Sequence, residues 1–241
     1  MAVKRLDRLL SELGVATRSE LRQMIKSGRV TVDGAAAAQP DMKIEEQGHT
    51  ICVDGTELCT SRLRYFMMDK PEGVLSATED KRRETVLDIL PPEIRRIGLF
   101  PVGRLDKDTS GLLLLTNDGD FAHRVISPKS GIEKLYYAEV DGVPNETDVK
   151  AFEDGIVLAD GTKCLSARLM PLGGNRCHVI VMEGKYHQVK RMLASRGKPV
   201  VKLRRLAVGG LELDPALAPG EVKELGSEDI AKVLGSFILD N

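Results

Sequence analysis

One short turn in this chain combines charged residues with glycine and leads directly into an apolar run. The turn, residues 103–111, contains Arg104, Asp106 and Asp108, and Leu112–Leu115 follows it without interruption. Consecutive leucines that end at an Asn-Asp-Gly turn signal predict a strand buried on both faces. A carboxylate at the mouth of such a core, beside fixed cations, suits a catalytic acid or nucleophile. The alternative is that Asp106 or Asp108 only caps the turn.

Residues 103–119 resemble motif II of the pseudouridine synthases, in the branch that contains the ribosomal small subunit enzymes. The family pattern is Gly-Arg-Leu-Asp, two variable residues, Thr-Ser-Gly-Leu, a hydrophobic stretch, and then Thr, a variable residue and Asp-Gly. This chain matches the pattern throughout and closes it with Thr116, Asp118 and Gly119. The resemblance implies that Asp106 is the catalytic aspartate of an enzyme that needs no cofactor.

The segment Glu133–Val140 predicts a strand that carries two adjacent tyrosines. Its Lys-x-Tyr-x-Ala spacing resembles motif IIa of the same family, which places Tyr136 against the target base. A tyrosine ring there can stack on a flipped uracil, and its hydroxyl can reach a proton on the base. Because Tyr136 and Tyr137 point to opposite faces of a strand, only one of them can line a site. The alternative for Tyr136 is an ordinary core or sheet-face tyrosine.

A second basic segment, Glu183–Met192, resembles motif III, in which a strand leads into a glycine turn and a helix starts with His-Gln. The resemblance implies that a cation of this segment pairs with Asp106, which favours the ionised carboxylate and orients it. The matching position is Lys190, where the wider family more often has arginine, whose planar fork differs from an ammonium point charge. For His187 and Gln188, helix capping and turn hydrogen bonds are as good an expectation as catalysis.

Other residues of this region receive supporting roles. Lys185 and Arg191 are expected to contact RNA phosphates, as is Arg104 in the motif II turn. In the family, an aliphatic residue of a later strand packs on the uracil face opposite the tyrosine, and we assign this role to Leu203. The Lys-Pro-x-Gly turn within Asp69–Gly73 resembles motif I, which is mainly scaffolding, and we assign it no chemistry.

The N-terminal part of the chain predicts two helices followed by short strands. Leucines at helical spacing predict a first helix that Gly14 ends, and Ser19 is the expected N-cap of a second helix that ends at Gly28. Over about residues 4–52 this order resembles the S4-like RNA-binding domain. The resemblance implies RNA contacts from the second helix and the following turn, through the cations Arg18, Arg22, Lys26 and Arg29. The alternative is an ordinary solvated helix face.

Charge alone permits a nucleic acid partner without establishing one. The formal net charge of the 241 residues is −1, but the charges are unevenly distributed. Residues 4–29 contain seven lysines and arginines against three acids, and residues 176–205 contain nine against one. Two separate basic regions can each attract phosphate, because salt screens each field within about 10 Å.

Local signals predict further elements in the longer C-terminal part. Val86–Leu90 is predicted as a short helix before a Pro-Pro pair. Asp120 is the expected N-cap of a helix that follows motif II, and Asn145 or Thr147 is the expected start of the next one. The fold class is therefore α+β. It comprises a small S4-like domain, residues 1–60, and a larger catalytic domain, residues 61–241, with a mixed, mainly antiparallel sheet flanked by helices.

Composition narrows the remaining choices. The chain has no apolar run of membrane-spanning length and no apolar leader at its start. Its four cysteines, Cys52, Cys59, Cys164 and Cys177, show no metal-ligand spacing and predict reduced thiols in a cytoplasmic protein, with no metal site. The linker between the domains is expected at Thr60–Arg64. We also expect a monomer.

The motifs together predict an rRNA pseudouridine synthase that flips one uridine out of 16S rRNA and isomerises it. A uridine of 23S rRNA is the alternative substrate. A non-catalytic rRNA-binding assembly factor is the alternative from another functional class, and the presence of Asp106, Tyr136 and Lys190 together argues against it. A metal-dependent nuclease needs a cluster of carboxylates, which Asp106 and Asp108 hardly provide.

Overall fold

The structure, a computed structural model, describes residues 3–45, 49–58 and 63–235. The chain divides into two compact units: one comprises the residues up to Arg64 together with Leu90–Leu99, and the other comprises Tyr65–Ile89 and the residues from Phe100 onward. The predicted boundary between residues 60 and 61, most of the predicted linker, and Cys59 lie outside the described residues. The domain limits therefore stay a prediction.

The first unit contains a pair of helices and short antiparallel strands. Its elements are β1 (Val3–Arg5), α1 (Leu6–Glu12), α2 (Arg18–Lys26), β2 (Val30–Val32), β3 (Ala35–Ala36), β4 (Lys43–Glu45), β5 (Ile51–Val53), β6 (Thr56–Leu58) and α3 (Pro92–Arg95). Strands β3, β2, β5 and β6 form one sheet in that order, and β1 pairs with β4. The leucines of α1 that recur at helical spacing are buried in the core of this unit, as predicted.

The second helix begins two residues earlier than the sequence analysis predicted. The N-cap of α2 is Thr17, and Ser19 lies inside the helix on the exposed side. Thr17 and Glu20 form a reciprocal capping box, in which the Thr17 backbone N–H donates to the Glu20 carboxylate over 2.8 Å. The Thr-x-x-Glu spacing is the stronger start signal because it satisfies two unpaired backbone donors, whereas a lone serine satisfies one.

The second unit is built on one large sheet. Its elements are β7 (Tyr65–Lys70), β8 (Phe100–Pro101), β9 (Thr109–Thr116), α4 (Gly119–Ile126), a 3₁₀ turn (Pro128–Ser130), β10 (Lys134–Val140), α5 (Glu146–Asp154), β11 (Arg168–Pro171), β12 (Arg176–Val181), α6 (Gln188–Ser195), β13 (Val200–Val208), β14 (Leu211–Glu212), β15 (Val222–Glu224) and α7 (Ser227–Leu234). The described sheet has the order β11-β12-β10-β13-β9-β7-β15, with β14 beside β13 and β8 beside β9.

Strand β9 lies inside this sheet, between β13 and β7, and all eight of its residues are buried. The prediction of a strand buried on both faces is confirmed. Its pairing with β13 is parallel, and the other described pairings of the sheet are antiparallel. At Gly111 the backbone φ is +103°, and a Cβ there would lie 2.2 Å from the Arg205 carbonyl oxygen. Glycine is therefore required where β9 approaches β13.

Two further local predictions were wrong, and one was right. The N-cap of α4 is Asp118, whose carboxylate accepts the backbone N–H groups of Asp120 and Phe121, so the helix begins earlier than predicted. Residues 86–90 form turns, and the helical turn lies at Pro92–Arg95 instead. Proline is favoured in the first turn of a helix, where its missing N–H costs nothing. Asn145 caps α5, which is one of the two predicted starts.

The mixed, mainly antiparallel sheet with flanking helices and the small helix-and-strand unit before it confirm the predicted α+β fold class. The described residues include no helix long and apolar enough to cross a membrane. The three described cysteines are free thiols. Within the described chain, no group of three or more His, Cys, Asp or Glu side chains has a metal-binding arrangement.

Candidate active site

Asp106 lies in the tight turn that precedes β9. The Thr109 backbone N–H donates to the Asp106 carbonyl oxygen over 3.1 Å. The Ser76 hydroxyl holds the preceding residue: it donates to the Leu105 carbonyl over 2.9 Å and accepts the Leu105 N–H over 3.1 Å. The Asp106 side chain is 26% exposed, so a carboxylate on a fixed backbone faces outward from a packed core. This is the presentation that an attacking or proton-accepting group needs.

Two side chains from motif III lie next to the Asp106 carboxylate. Lys190 Nζ is 3.4 Å from Oδ2, and His187 Nε2 is 3.4 Å from Oδ1. Lys190 also bonds to Asp108 at 2.5 Å, and this hydrogen bond lowers the pKa of the Asp108 carboxyl from its usual value. The structure therefore brings Asp106 and Lys190 together as predicted, but the lysine is shared between two carboxylates and is closer to the more exposed one.

The start of α6 sets the positions of these groups. Gln188 is buried: its side-chain oxygen accepts the Lys185 backbone N–H over 2.9 Å, and its amide donates to Glu183 over 2.9 Å. Gln188 therefore makes the turn hydrogen bonds that were predicted as the alternative to a catalytic role. His187 does not follow this alternative, because its side chain makes no capping bond and its ring faces Asp106 instead. Its backbone has a φ of +49°, in the left-handed region.

Tyr136 and Leu203 line the same small cavity as Asp106. The volume of this cavity is about 60 Å³. They project from the neighbouring strands β10 and β13, where Ala138 is the register partner of Leu203. Tyr137 lies elsewhere: its hydroxyl donates to Glu139, and its ring contacts His178 edge to face. The alternation of a strand thus places only one of the two tyrosines by the cavity. The base-stacking and base-packing roles stay predictions.

Lys70 belongs to the Lys-Pro-x-Gly motif, to which we assigned no chemistry. Its side chain holds the Asp106 turn through hydrogen bonds. Its side chain is completely buried, and Nζ donates to the carbonyl oxygens of Pro71 over 2.9 Å and Thr109 over 3.0 Å. A longer contact of 3.5 Å reaches the carbonyl of Lys107. The ammonium group therefore joins β7 to the part of the turn that follows Asp106. The Lys-Pro pair in the sequence was the available signal, but nothing in it indicated burial.

Burial lowers the Lys70 pKa from 10.5 to about 8. Between these values the unfolded chain binds a proton that the folded chain does not, so the free energy of unfolding should rise as the pH increases from about 8 to about 10.5. We expect Lys70→Met to remove the contribution of this lysine to the rise, which is on the order of a few kcal/mol. Chemical denaturation of both proteins at several pH values measures it.

The comparison between variants is needed because other groups titrate in the same range. Burial also lowers the Lys134 pKa to about 8, whereas it raises the Cys177 pKa to about 11, with the opposite effect on stability. These contributions are common to both proteins and cancel in the difference. An unchanged pH dependence in Lys70→Met would show that this ammonium is not the source of the rise.

The three cations of this unit that are predicted to contact phosphate differ in whether other protein groups already bind them. Arg104 is exposed and has no ion-pair or hydrogen-bond partner in the described part of the chain. Lys185 bonds to Glu183 and to the Lys163 carbonyl, and Arg191 pairs with Asp160 at 2.6 Å. Arg104 is thus the cation of this set most available to an incoming phosphate.

The cations predicted to bind RNA in the first unit are all exposed, but two are engaged. Arg29 forms two hydrogen bonds to Asp54, at 2.7 and 2.5 Å, and Arg22 lies 3.7 Å from Asp7. Arg18 and Lys26, near the two ends of α2, have no such partners among the described residues. As far as the described residues show, α2 therefore presents Arg18 and Lys26 as free cations.

The chain is similar to known proteins over nearly its whole length. The family model for RNA pseudouridylate synthase matches residues 64–195, and the S4 domain model matches residues 4–51. The chain is 42% identical to an RNA pseudouridine synthase of Bacillus subtilis (strain 168), over 94% of this chain and 96% of that protein. It is 37% identical to ribosomal small subunit pseudouridine synthase A of Escherichia coli (strain K12), over 95% and 100%.

Among solved structures, a crystal structure of pseudouridylate synthase matches with a TM-score of 0.67 and 33% sequence identity, over 95% of this chain and 99% of that one. Ribosomal small subunit pseudouridine synthase A of Vibrio cholerae is a further relative, 39% identical over 95% of this chain and 99% of its own length. Each of these matches therefore covers almost the whole of the relative and spans both family models on this chain.

Proposed function

Because this chain belongs to the RNA pseudouridylate synthase family and carries an S4 domain, we propose that it converts one uridine of 16S ribosomal RNA into pseudouridine, with Asp106 as its catalytic aspartate. The single observation that carries the assignment of Asp106 is its geometry. It is a half-buried carboxylate on a fixed turn, 3.4 Å from the Lys190 ammonium, beside a cavity that Tyr136 and Leu203 also line.

The reaction is an isomerisation, so its atoms balance within the nucleoside. The N1–C1′ bond breaks, the detached uracil turns, C5 bonds to C1′, and the proton lost from C5 is matched by one gained at N1. The target uridine must leave its stack to reach the carboxylate, at a cost of a few kcal/mol. Asp106 begins the reaction at this nucleoside, and Lys190 fixes the direction of its carboxylate.

Tyr136 and Leu203 are the residues that can hold the base during the turn. The Tyr136 ring is half-buried at the cavity wall, and Leu203 is 3% exposed on the adjacent strand. An aromatic face and an aliphatic side chain together offer a planar slot, which binds a base without fixing its rotation through hydrogen bonds. Such a slot suits a base that must detach and rejoin through a different atom.

The choice of 16S over 23S rRNA rests on the named relatives from Vibrio cholerae and Escherichia coli, which are small-subunit enzymes. The test is to map pseudouridine in both ribosomal RNAs from cells with and without this gene. We expect one pseudouridine of 16S rRNA to disappear in its absence. A loss confined to 23S rRNA would replace the proposed substrate, and no loss in either would contradict the proposed function. The monomeric state and the cytoplasmic location are proposed with it.

We expect the free cations of α2 to contribute to RNA binding through phosphate. Replacing Arg18 and Lys26 together with alanine should weaken RNA binding several-fold and lower the slope of log K against log salt by up to about 2, since each phosphate contact contributes just under 1. The turnover rate at saturating RNA should stay the same. Filter binding at several salt concentrations measures this. An unchanged slope would place RNA on another surface of the unit.

A further inference from the structure

A second and much larger cavity lies beside the candidate active site. Its volume is about 680 Å³, against about 60 Å³ for the cavity that Asp106 lines. The two cavities share four lining residues, Arg104, Tyr136, Glu183 and Gly184, but Asp106 does not line the larger one. A cavity of this size is within the range that holds whole small ligands, and it exceeds the needs of one uracil. It therefore has room for a group other than the reacting base.

The larger cavity is lined by two buried cations. Arg205 is 5% exposed, and its Nε donates to the Leu112 carbonyl over 2.7 Å. Lys134 is 8% exposed and donates to the carbonyls of Val125 and Ile132. Among the described residues no carboxylate pairs with either cation, and the terminal guanidinium nitrogens of Arg205 have no hydrogen-bond partner. Because these nitrogens have no partner and are not fully enclosed, they are open to the cavity and can donate to a molecule inside it.

An acidic residue also lines the cavity, but it pairs with neither cation. In this residue, Glu183, Oε1 accepts the Leu165 N–H and the Gln188 amide, and Oε2 pairs with Lys185. The two cations also act on each other, because Arg205 adds to the lowering of the Lys134 pKa, which burial dominates. The terminal nitrogens of Arg205 are therefore available to an acceptor on a molecule that enters the cavity.

The chemistry of the lining residues indicates what type of molecule the larger cavity can bind. Phe100, Val102 and Ile126 provide apolar surface suited to a planar ring, and Arg205 and Lys134 provide hydrogen-bond donors but no acceptors. The guanidinium fork matches two adjacent acceptors. Guanine has such a pair at O6 and N7, whereas adenine places an amino donor beside N7.

We propose that this cavity binds the guanine base of a nucleotide next to the target uridine, with Arg205 and Lys134 as its hydrogen-bond donors. The position of Arg205 supports the placement, because it is the register partner of Tyr136 on the neighbouring strand. A base in the cavity would therefore lie beside the tyrosine that faces the reacting uridine. The inference rests on the proposed function only in that the ligand is RNA.

The test uses purine mononucleotides, which separate the second cavity from the uridine site. Calorimetric titration of the full chain with GMP and with AMP should show at least tenfold tighter binding of GMP, and Arg205→Met should remove this preference. Equal affinity of the wild-type protein for GMP and AMP would overturn the inference. So would a preference that persists in Arg205→Met, or displacement of GMP by an equal concentration of inorganic phosphate, which would indicate a phosphate site.

A second variant avoids disturbing the buried core. Ile126 lines the cavity and is 48% exposed, so Ile126→Trp can fill the cavity from its open side. We expect it to weaken GMP binding at least tenfold. Val201→Trp is the matched control, because Val201 is 72% exposed and does not line the cavity. Equal GMP binding by Ile126→Trp and the control would place the nucleotide outside this cavity.

The inference and the proposed function fail separately. Selective GMP binding by a protein that forms no pseudouridine in ribosomal RNA would remove the function and leave the cavity assignment standing. Pseudouridine formation by a protein that binds GMP and AMP equally would do the reverse.

Discussion

Replacing Asp106 with asparagine is expected to reduce pseudouridine formation by about 10⁴-fold or more, the size of loss seen when an essential catalytic side chain is removed. Asparagine keeps the shape of the side chain but has neither the charge nor the basicity that the proposed role of Asp106 requires. The turn itself should persist, because it is held by the hydrogen bonds of Ser76, Thr109 and Lys70, none of which uses the Asp106 side chain. Release of tritium from 5-tritiated uridine in 16S rRNA measures the rate.

Two controls show that such a loss concerns chemistry. RNA affinity of Asp106→Asn should remain within about threefold of the wild type, because an interaction made in the transition state contributes little to ground-state binding. Asp108→Asn should retain far more activity, since the Asp108 side chain is 76% exposed and lies outside both cavities. Retained turnover in Asp106→Asn would remove this residue from the mechanism.

Replacing Lys190 with methionine is expected to lower the turnover rate by about 10²–10³-fold, the effect of losing one preorganised charge contact in an active site. The ammonium group lies within 3.4 Å of Asp106 and bonds to Asp108. Without it, Asp106 and Asp108 would lose the ammonium group that they share, and of the described residues only His187 would remain to set the direction of the Asp106 carboxylate. Single-turnover kinetics with saturating RNA measures the chemical step.

The conservative variant separates orientation from simple folding. Lys190→Arg should recover much of the loss, because it returns a cation to the same place, although its planar fork changes the geometry. Lys150→Met, which removes an exposed lysine from α5, is the matched control and should leave the rate unchanged. If Lys190→Met turns over as fast as this control, then His187, at the same 3.4 Å distance from Asp106, becomes the candidate for the orienting partner.

The elements that sequence patterns predicted well are those whose signal is the burial of many residues at once. Strand β9 is one, because four consecutive leucines can only be satisfied on both faces of an interior strand. Helix α1 is another, through its leucine spacing. The wrong predictions concern short local features: the helix predicted at residues 86–90 and the starts of α2 and α4. At each of these starts more than one capping residue lies within a few positions, so the choice depends on one or two hydrogen bonds.

The sequence by itself determined which residue types are available for chemistry, because Asp106, Tyr136 and Lys190 each lie within a recognisable motif. Only the tertiary structure decided which of them meet. Pairing of β10 and β13 sets Leu203 and Tyr136 on one cavity, and the position of α6 gives Asp106 two basic neighbours.

The buried cations show most clearly what the sequence alone does not determine. Lys70 and Lys134 lie within motifs and Arg205 does not, but nothing in the local sequence of any of the three indicates that its charge is buried. Whether such a charge faces solvent, a backbone carbonyl or a cavity depends on which strands lie beside it. Those neighbours are distant in the chain, so the surroundings of each charge, and with them its pKa and its possible ligands, are properties of the folded sheet.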